Sequence, residues 1–239
     1  MLVYARPVST YLNRLGEDIP RIGASPAGTA VAVWSLDTTL DVVGGHRIED
    51  ALPVLDAGER ERAGRLLRAG DRHRYLVSHV GLRVLLGGYL GLAPQDVVLV
   101  REDCPCCDGP HGRPAVAGGA VQFSLSHSDD LAYLAFAAVP VGVDVEAIPS
   151  AAAVEDVLNT LHPAETAELS ALPAEERPGV LARLWSRKEA YFKGTGTGLA
   201  LGLAEPYIGS GPTPSQVPGW HLTDLPAPPA YAAALALRT

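Results

Sequence analysis

Cysteine is scarce in this sequence of 239 residues, and its three cysteines, Cys104, Cys106 and Cys107, lie in one short stretch. Such a cluster does not indicate the disulfide framework of a small secreted protein. The sequence also lacks an uninterrupted apolar run of membrane-spanning length, and no apolar segment of the kind found in secretory signals follows Met1. We therefore expect a cytoplasmic protein with reduced thiols.

Positive charge is in deficit, with 19 Lys and Arg against 27 Asp and Glu and a formal net charge of −8. This balance argues against a broad nucleic-acid-binding surface. One local exception is the stretch Arg60–Arg74, where six arginines accompany only Glu61 and Asp71. That stretch suits a small polyanionic ligand, and it suits equally well a solvated helix face whose arginine stems cover apolar surface.

Apolar residues make up 47% of the chain, which is enough for a sizeable core, and their periodicity indicates a mixture of helices and strands. Residues 1–28 are expected to form an irregular N-terminal extension. The predicted strands cover residues 29–36, 96–101, 121–125, 131–137, 141–146, 206–208, 220–225 and 231–237. The predicted helices cover residues 57–69, which begin after an N-cap at Asp56, residues 71–89 and 163–171, and a segment that begins after Pro173 and ends near Gly194.

Two carboxylates lie on a predicted buried strand, Val141–Glu146. Alternate residues of a strand share a face, so the valines pack one way while Asp144 and Glu146 point the other way. Acidic residues are disfavoured in strands and repel each other, which suggests that a cation neutralises them. Hard oxygen ligands of this kind suit Mg²⁺. The alternative is an exposed strand end with no ligand.

The stretch Leu184–Leu199 reads as the end of a helix closed by glycines. Trp185, Glu189 and Lys193 follow one another at intervals of four residues, so their side chains lie along one helical face. Taken alone, the acidic and basic members of this series are typical of a surface ion pair. A weak internal repeat also appears when Ser78 is aligned with Ser186, because each begins a helical segment that ends in Gly-Leu.

Two further patterns are ambiguous or misleading. Cys104, Cys107 and His111 form C-x-x-C-x-x-x-H, which could bind zinc, although a second ligand pair is not evident and reduced thiols are the default interpretation. The sequence Ser126-His127-Ser128 does not indicate a serine hydrolase, because the chain has no G-x-S-x-G elbow and adjacent Ser and His do not make a triad.

Four ordered motifs give the chain a specific resemblance over residues 30–239. They are Gly112-Arg113-Pro114, Phe123-Ser124-Leu125-Ser126-His127-Ser128, Gly142-Val143-Asp144-Val145-Glu146, and Trp185-Ser186-x-Lys188-Glu189-Ala190-x-x-Lys193. In this order and at these separations, the sequence resembles the 4′-phosphopantetheinyl transferases of the surfactin-synthetase-activating type. These enzymes transfer the phosphopantetheine arm of coenzyme A to a serine of an acyl or peptidyl carrier protein and release 3′,5′-ADP.

The resemblance implies an α+β fold made of a pseudo-twofold pair of similar halves, with the active site in the cleft between them. The N-terminal half, residues 29–139, would bind coenzyme A. The C-terminal half, residues 140–239, would carry the metal carboxylates, the motif helix and the carrier-docking surface. Because the segment 158–172 links the two motif regions of that half, we expect it to contact the carrier. One chain would supply both halves, so a monomer is expected.

The resemblance also implies roles for individual residues. Asp144, Glu146 and Glu189 would bind Mg²⁺, and the metal would neutralise the pyrophosphate of the coenzyme. Glu189 would act as the general base for the serine, with Asp144 or a metal-bound hydroxide as alternatives, and Lys193 would contact the phosphates and assist the leaving group. The predicted coenzyme contacts are Arg74, Arg113, Ser126, His127, Lys188 and Lys193.

Two alternative functions agree with parts of this pattern. The carboxylates alone would permit a Mg²⁺-dependent hydrolase or transferase acting on another nucleotide pyrophosphate. A catalytically silent homologue that only binds carrier domains would be expected to have lost a metal carboxylate or the lysine at position 193, and this chain keeps them. By resemblance, the carriers would belong to polyketide or nonribosomal peptide synthesis, and neither nucleic acid nor membrane is an expected partner.

Overall fold

The computed structural model describes residues 10–109, 112–198 and 202–239. It divides into two compact units, each a mixture of helices and strands. The first unit contains the described residues up to Val100 together with Ala115–Ala138, and the second contains Arg101–Pro114 and Val139–Thr239. The organisation into an extension and two halves, 1–28, 29–139 and 140–239, stays a prediction.

Eleven strands and five α-helices are assigned within the described residues. The strands are β1 (Thr10–Leu15), β2 (Val31–Asp37), β3 (Val42–Val43), β4 (His46–Arg47), β5 (Leu99–Arg101), β6 (Pro114–Val116), β7 (Gln122–Ser128), β8 (Leu131–Ala137), β9 (Val141–Ala147), β10 (Trp220–Leu225) and β11 (Tyr231–Arg238). The helices are α1 (Ala57–Arg65), α2 (Ala69–Leu90), α3 (Ala151–Val157), α4 (Pro163–Ser170) and α5 (Arg177–Thr195), and short 3₁₀ turns cover Ile48–Asp50, Leu52–Val54, Pro94–Asp96 and Leu158–Thr160.

The first unit is built on a four-stranded sheet in the order β1-β2-β8-β7. Strands β1 and β2 run parallel, whereas β8 runs antiparallel to both of its neighbours. Apolar side chains of α2, among them Val80 and Leu85, join Leu36, Leu134 and other sheet residues in one buried cluster. The sheet therefore supports α2, whose N-terminal half lies at the candidate ligand pocket described below.

The second unit is built on an antiparallel three-stranded sheet in the order β10-β11-β9. Helix α5 lies across β9 and β11 and contributes Leu184 and Ala190 to a buried cluster with Leu222 and Ala234. The helix ends at Gly196, whose φ of +77° places it in the left-handed region that glycine adopts without strain. Burial of this helix face orients the motif residues that it carries.

Most predicted elements are confirmed within a few residues, and three expectations are wrong. The sequence predicts irregular structure over residues 1–28, yet Thr10–Leu15 within that range form β1 by pairing with β2. The first helix ends at Arg65 rather than at residue 69. The segment 206–208 was expected to be a strand but is irregular, because the backbone N–H groups of Ile208 and Gly209 donate to Glu165 rather than to a neighbouring strand. Among the described helices, none is long and apolar enough to cross a membrane.

Candidate active site

The close approach of β9 and α5 depends on Gly142, the glycine of the G-V-D-V-E motif. A Cβ atom at this position would lie 1.8 Å from the carbonyl oxygen of Ala190 and 2.5 Å from the amide nitrogen of Gly194. Both atoms belong to the backbone of α5, which cannot rotate away as a side chain can. The glycine therefore allows strand and helix to touch, and this contact brings the carboxylates of β9 to the motif face of α5.

Asp144 and Lys193 form an ion pair at this contact. The Nζ atom of Lys193 donates to Oδ1 of Asp144 at 2.6 Å, and the side chain of Asp144 is 1% exposed whereas that of Lys193 is 31% exposed. The sequence also allowed an ordinary surface ion pair between Glu189 and Lys193, but the structure pairs Lys193 with the buried Asp144. The lysine instead neutralises a buried carboxylate and keeps part of its surface accessible.

Glu189 lies half-buried beside this pair. Burial raises the pKa of its carboxyl, the negative charge of Asp144 raises it further, and the ammonium of Lys193 partly counters both effects. Glu146 is half-buried on β9, two residues after Asp144 and so on the same side of the strand. Asp144 and Glu189, two of the three predicted metal ligands, are thus close enough to interact electrostatically.

The three carboxylates do not form a preassembled metal site. Within residues 10–109, 112–198 and 202–239, no group of three or more His, Cys, Asp or Glu side chains is arranged to hold a metal ion. The possible zinc ligands Cys104 and Cys107 lie within these ranges, whereas the third member of that set, His111, lies outside the described residues.

Lys188 does not take the role that the sequence predicts for it. Its side chain is fully buried, and its Nζ atom lies 2.9 Å from Oε2 of Glu165 and donates to the carbonyl oxygen of Pro206 at 2.7 Å. Burial lowers the pKa of this lysine, while the Glu165 carboxylate acts in the opposite direction. The prediction that Lys188 contacts the coenzyme is corrected: this lysine ties α5 to α4.

Arg113 is fixed by contacts inside the second unit. Its Nε and Nη2 atoms donate to the carboxylate of Glu102 at 2.6 and 3.0 Å, and Nη1 donates to the carbonyl oxygen of Gly194 at 2.9 Å. That carbonyl belongs to the last turn of α5, where a cation is favoured. The preceding Gly112 is required because a Cβ there would lie 2.5 Å from the carbonyl oxygen of Glu102. The G-R-P motif therefore joins a narrow hairpin to the C-terminal end of α5.

A second group of predicted residues lies in the first unit, around a cavity of about 310 Å³. Its lining combines cationic, acidic and aromatic side chains: Arg62, Leu66, Asp71, Arg74, Tyr75, His127 and Asp129. Two of the predicted coenzyme contacts, Arg74 and His127, are thus brought together. Ser126 is buried in β7 next to His127.

One residue that lines the cavity is not among the predicted coenzyme contacts. Arg62 belongs to the arginine-rich stretch Arg60–Arg74, and the fold places its side chain at the same cavity as that of Arg74. The guanidinium of Arg74 donates through Nε and Nη2 to Asp130 at 2.9 and 2.7 Å. Burial raises the pKa of Tyr75 to about 12, so its phenol stays protonated and can donate a hydrogen bond.

Comparison with known proteins gives these sites a context. The profile of the 4′-phosphopantetheinyl transferase superfamily matches residues 140–236. The chain is 32% identical over 189 residues to the 4′-phosphopantetheinyl transferase HetI of Nostoc sp. (strain PCC 7120), a match that covers 75% of this chain and 76% of HetI. It is 30% identical over 160 residues to psf-1 of Bacillus pumilus, covering 66% and 65% of the two chains. It is 27% identical over 156 residues to Sfp of Bacillus subtilis (strain 168), covering 65% and 66%.

Proposed function

Because this chain belongs to the 4′-phosphopantetheinyl transferase superfamily, we propose that it transfers the phosphopantetheine arm of coenzyme A to a serine of an acyl or peptidyl carrier protein, with release of 3′,5′-ADP. It is a transferase enzyme of this kind. The observation that carries the proposal is the cluster of Asp144, Glu189 and Lys193, which the two C-terminal motifs supply and the β9–α5 contact assembles. A silent homologue would have no need for a buried carboxylate that faces a partly exposed lysine.

The test is direct. The protein is incubated with coenzyme A, Mg²⁺ and a panel of apo carrier domains, and each carrier is weighed by intact-protein mass spectrometry. We expect at least one carrier to gain the mass of one phosphopantetheine group. If coenzyme A is cleaved while every carrier keeps its mass, the enzyme is a hydrolase of nucleotide pyrophosphates, and the transferase proposal fails.

We assign the cavity of the first unit to the 3′-phosphate of coenzyme A. Arg62 and Arg74 bring two permanent positive charges to one small cavity, and the guanidinium fork suits phosphate oxygens. His127 and the protonated phenol of Tyr75 add further hydrogen-bonding groups. The carboxylate of Asp130 now occupies the fork of Arg74, so a phosphate would compete with Asp130 for the guanidinium.

Replacement of Arg74 with alanine should raise KM for coenzyme A and leave kcat largely unchanged. A charge-assisted hydrogen bond contributes about 1.5–3 kcal/mol, so KM should rise roughly ten- to hundredfold. The matched control is Arg65→Ala, since Arg65 is 68% exposed and pairs with Glu61 on its own helix. Steady-state kinetics with dephospho-coenzyme A, which lacks the 3′-phosphate, should show a much smaller effect of Arg74→Ala. An equal effect on both substrates would contradict the assignment.

Mg²⁺ is part of the proposal, with Asp144, Glu146 and Glu189 as its protein ligands. The donor set fits a hard cation because all three side chains offer carboxylate oxygens. Burial and, after it, the negative charge of Asp144 raise the pKa of Glu189 despite the nearby ammonium of Lys193, so a divalent cation would stabilise both carboxylates in their charged form. When bound there, Mg²⁺ would supply positive charge to the pyrophosphate of the coenzyme.

Phosphate binding and proton transfer are assigned to different residues of this chain. Lys193 is partly exposed at the edge of the buried carboxylate, so its ammonium is placed to hold phosphate oxygens and to stabilise the charge that develops on the leaving 3′,5′-ADP. Glu189 takes the proton of the carrier serine. Asp144 is the poorer base, because it is 1% exposed and its Oδ1 is already held by Lys193.

We also propose that the two units descend from one repeated motif. In each unit a short helix begins with a capping box whose third residue is a buried glutamate, Glu59 in α1 and Glu165 in α4. Each glutamate then pairs with a base on the following long helix, Arg83 at 2.6 Å and Lys188 at 2.9 Å. This recurrence supports the expected pair of similar α+β halves, and the cleft between them stays a prediction of the family resemblance.

We place the carrier-docking surface on the segment 158–172, which includes α4. Ala167 is exposed on this helix, so its replacement with arginine should weaken docking without disturbing the core. An interface position of this kind contributes about 1–2 kcal/mol, and we expect a rise of roughly five- to thirtyfold in KM for the carrier. KM for coenzyme A should be unaltered. Ala152→Arg, on the exposed side of α3, is the control, and an unchanged carrier KM in Ala167→Arg would refute this placement.

A further inference from the structure

Residues 101–109 carry the three cysteines, and they pair with residues 112–114 as the two arms of a hairpin. Its two arms are held by backbone hydrogen bonds from Glu102 to Arg113 at 3.0 Å and from Gly112 to Glu102 at 2.9 Å. Closer to the tip, the N–H of Cys104 donates to the carbonyl of Gly109 at 2.7 Å. The cysteines therefore belong to a hydrogen-bonded turn, and the proposed transfer mechanism assigns them no role.

The turn brings Cys104 and Cys107 within range of a disulfide. The N–H groups of Cys107 and Asp108 both donate to the carbonyl oxygen of Cys104, at 3.3 and 2.8 Å. Residues joined by such a hydrogen bond across three positions have Cα atoms less than about 7 Å apart, which overlaps the range of disulfide-linked residues. Cys106 is less suited, because a bond to the adjacent Cys107 would distort the intervening peptide. Asp108 closes the turn with a φ of +56°.

The two sulfur atoms have different environments. All three residues are present as thiols, with Cys104 buried at 4% exposure and Cys106 and Cys107 exposed. The sulfur of Cys104 accepts hydrogen bonds from the backbone N–H groups of Cys106 and Cys107, and these contacts lower the pKa of the Cys104 thiol. Cys107 is thus accessible to a reagent in solution, and Cys104 lies in the same turn, where its thiolate can attack a mixed disulfide formed on Cys107.

We propose that Cys104 and Cys107 form a thiol–disulfide exchange site that reacts with low-molecular-weight disulfides. The thiolate of Cys107 attacks one sulfur of the reagent, the reagent's disulfide bond breaks, and one reagent thiol leaves. The thiolate of Cys104 then attacks the sulfur of Cys107 in the mixed disulfide, and the second reagent thiol leaves. The protein loses two electrons and two protons, and the reagent gains them. The new bond closes the turn covalently in the hairpin that also carries Arg113.

The experiment uses the full chain and glutathione. The protein is equilibrated in buffers of increasing oxidised-to-reduced glutathione ratio, quenched with an alkylating agent, and weighed intact, and the linked peptide is then mapped. We expect the wild type to lose the mass of two hydrogen atoms, reversibly and with a linkage between Cys104 and Cys107. Cys106→Ser should behave like the wild type, whereas Cys104→Ser and Cys107→Ser should stop at the mixed disulfide or remain reduced.

Several results would overturn the proposal. They are a protein that stays reduced at every glutathione ratio, a linkage that includes Cys106, and a purified protein whose native mass includes a metal ion that protects Cys104 and Cys107 from oxidation. Cys107 is exposed, so the Cys107→Ser variant keeps the buried part of the turn and guards against a folding failure in Cys104→Ser. Because the readout is mass rather than transfer, its failure leaves the proposed function untouched.

Discussion

Replacement of Glu189 with glutamine should lower kcat by about two to four orders of magnitude, which is the usual contribution of a positioned general base. The amide has almost the same shape as the carboxylate, so the β9–α5 contact should persist, yet it can neither accept the serine proton nor carry negative charge. KM for coenzyme A should change little, because Arg62 and Arg74 lie in the other unit. Steady-state kinetics with a saturating apo carrier measure both constants.

A matched control and a metal titration sharpen this result. Glu175→Gln changes the same functional group at an exposed position of the second unit and should leave turnover unaltered. If Glu189 accepts the proton, raising the Mg²⁺ concentration will not restore the activity of Glu189→Gln. Recovery of turnover at high Mg²⁺ would show that Glu189 serves only as a metal ligand, and near-normal turnover throughout would remove it from both roles.

The sequence was most informative where local chemistry sets the structure. The N-cap at Asp56 is confirmed because its side chain accepts from the N–H of Glu59, a contact that lies within one helical turn. The glycine stop of α5 is confirmed for the same reason, since Gly196 adopts the left-handed conformation on its own. Strands β8 and β9 are confirmed by runs of small and β-branched residues. Such signals need no knowledge of distant residues.

Long-range partners explain the errors. Strand β1 exists through its parallel pairing with β2, about twenty residues away, and its own composition does not reveal that partner. The segment 206–208 loses its strand character because Glu165 takes the backbone N–H of Ile208. In both cases a tertiary hydrogen bond decides the local structure, which overrides the weak preference of the residues themselves.

The motif helix shows how far the spacing of residues could guide the site. The chain has only two lysines, Lys188 and Lys193, and both lie in α5. Each residue of an α-helix turns by about 100°, so residues five apart point in directions that differ by about 140°. Glu189 and Lys193, four apart, share a face, and the structure joins both of them electrostatically to Asp144. Lys188 points away from that face and pairs with Glu165 in the core. The motif alone does not reveal which of the two lysines is buried.

Gly142 is the position where the largest loss of stability is expected. Replacement with alanine would place a Cβ 1.8 Å from the carbonyl oxygen of Ala190, so strand and helix must separate. Overpacking of this kind costs about 3 kcal/mol or more when the obstacle is backbone, which corresponds to a drop of roughly 6–12 °C in Tm for a chain of this size. Transfer activity should fall as well, because separation moves Asp144 away from Glu189 and Lys193.

Differential scanning calorimetry measures this change, and the same helix supplies the control. Gly179 lies in α5 with no atom within 4 Å of the position that a Cβ would take, so Gly179→Ala should melt at the wild-type temperature or above it. The comparison separates the loss of close contact from any general effect of adding a methyl group. An equal Tm for Gly142→Ala and Gly179→Ala would contradict this prediction. The β9–α5 backbone contact would then not assemble the site, and the carboxylates of β9 would have to reach α5 by another arrangement.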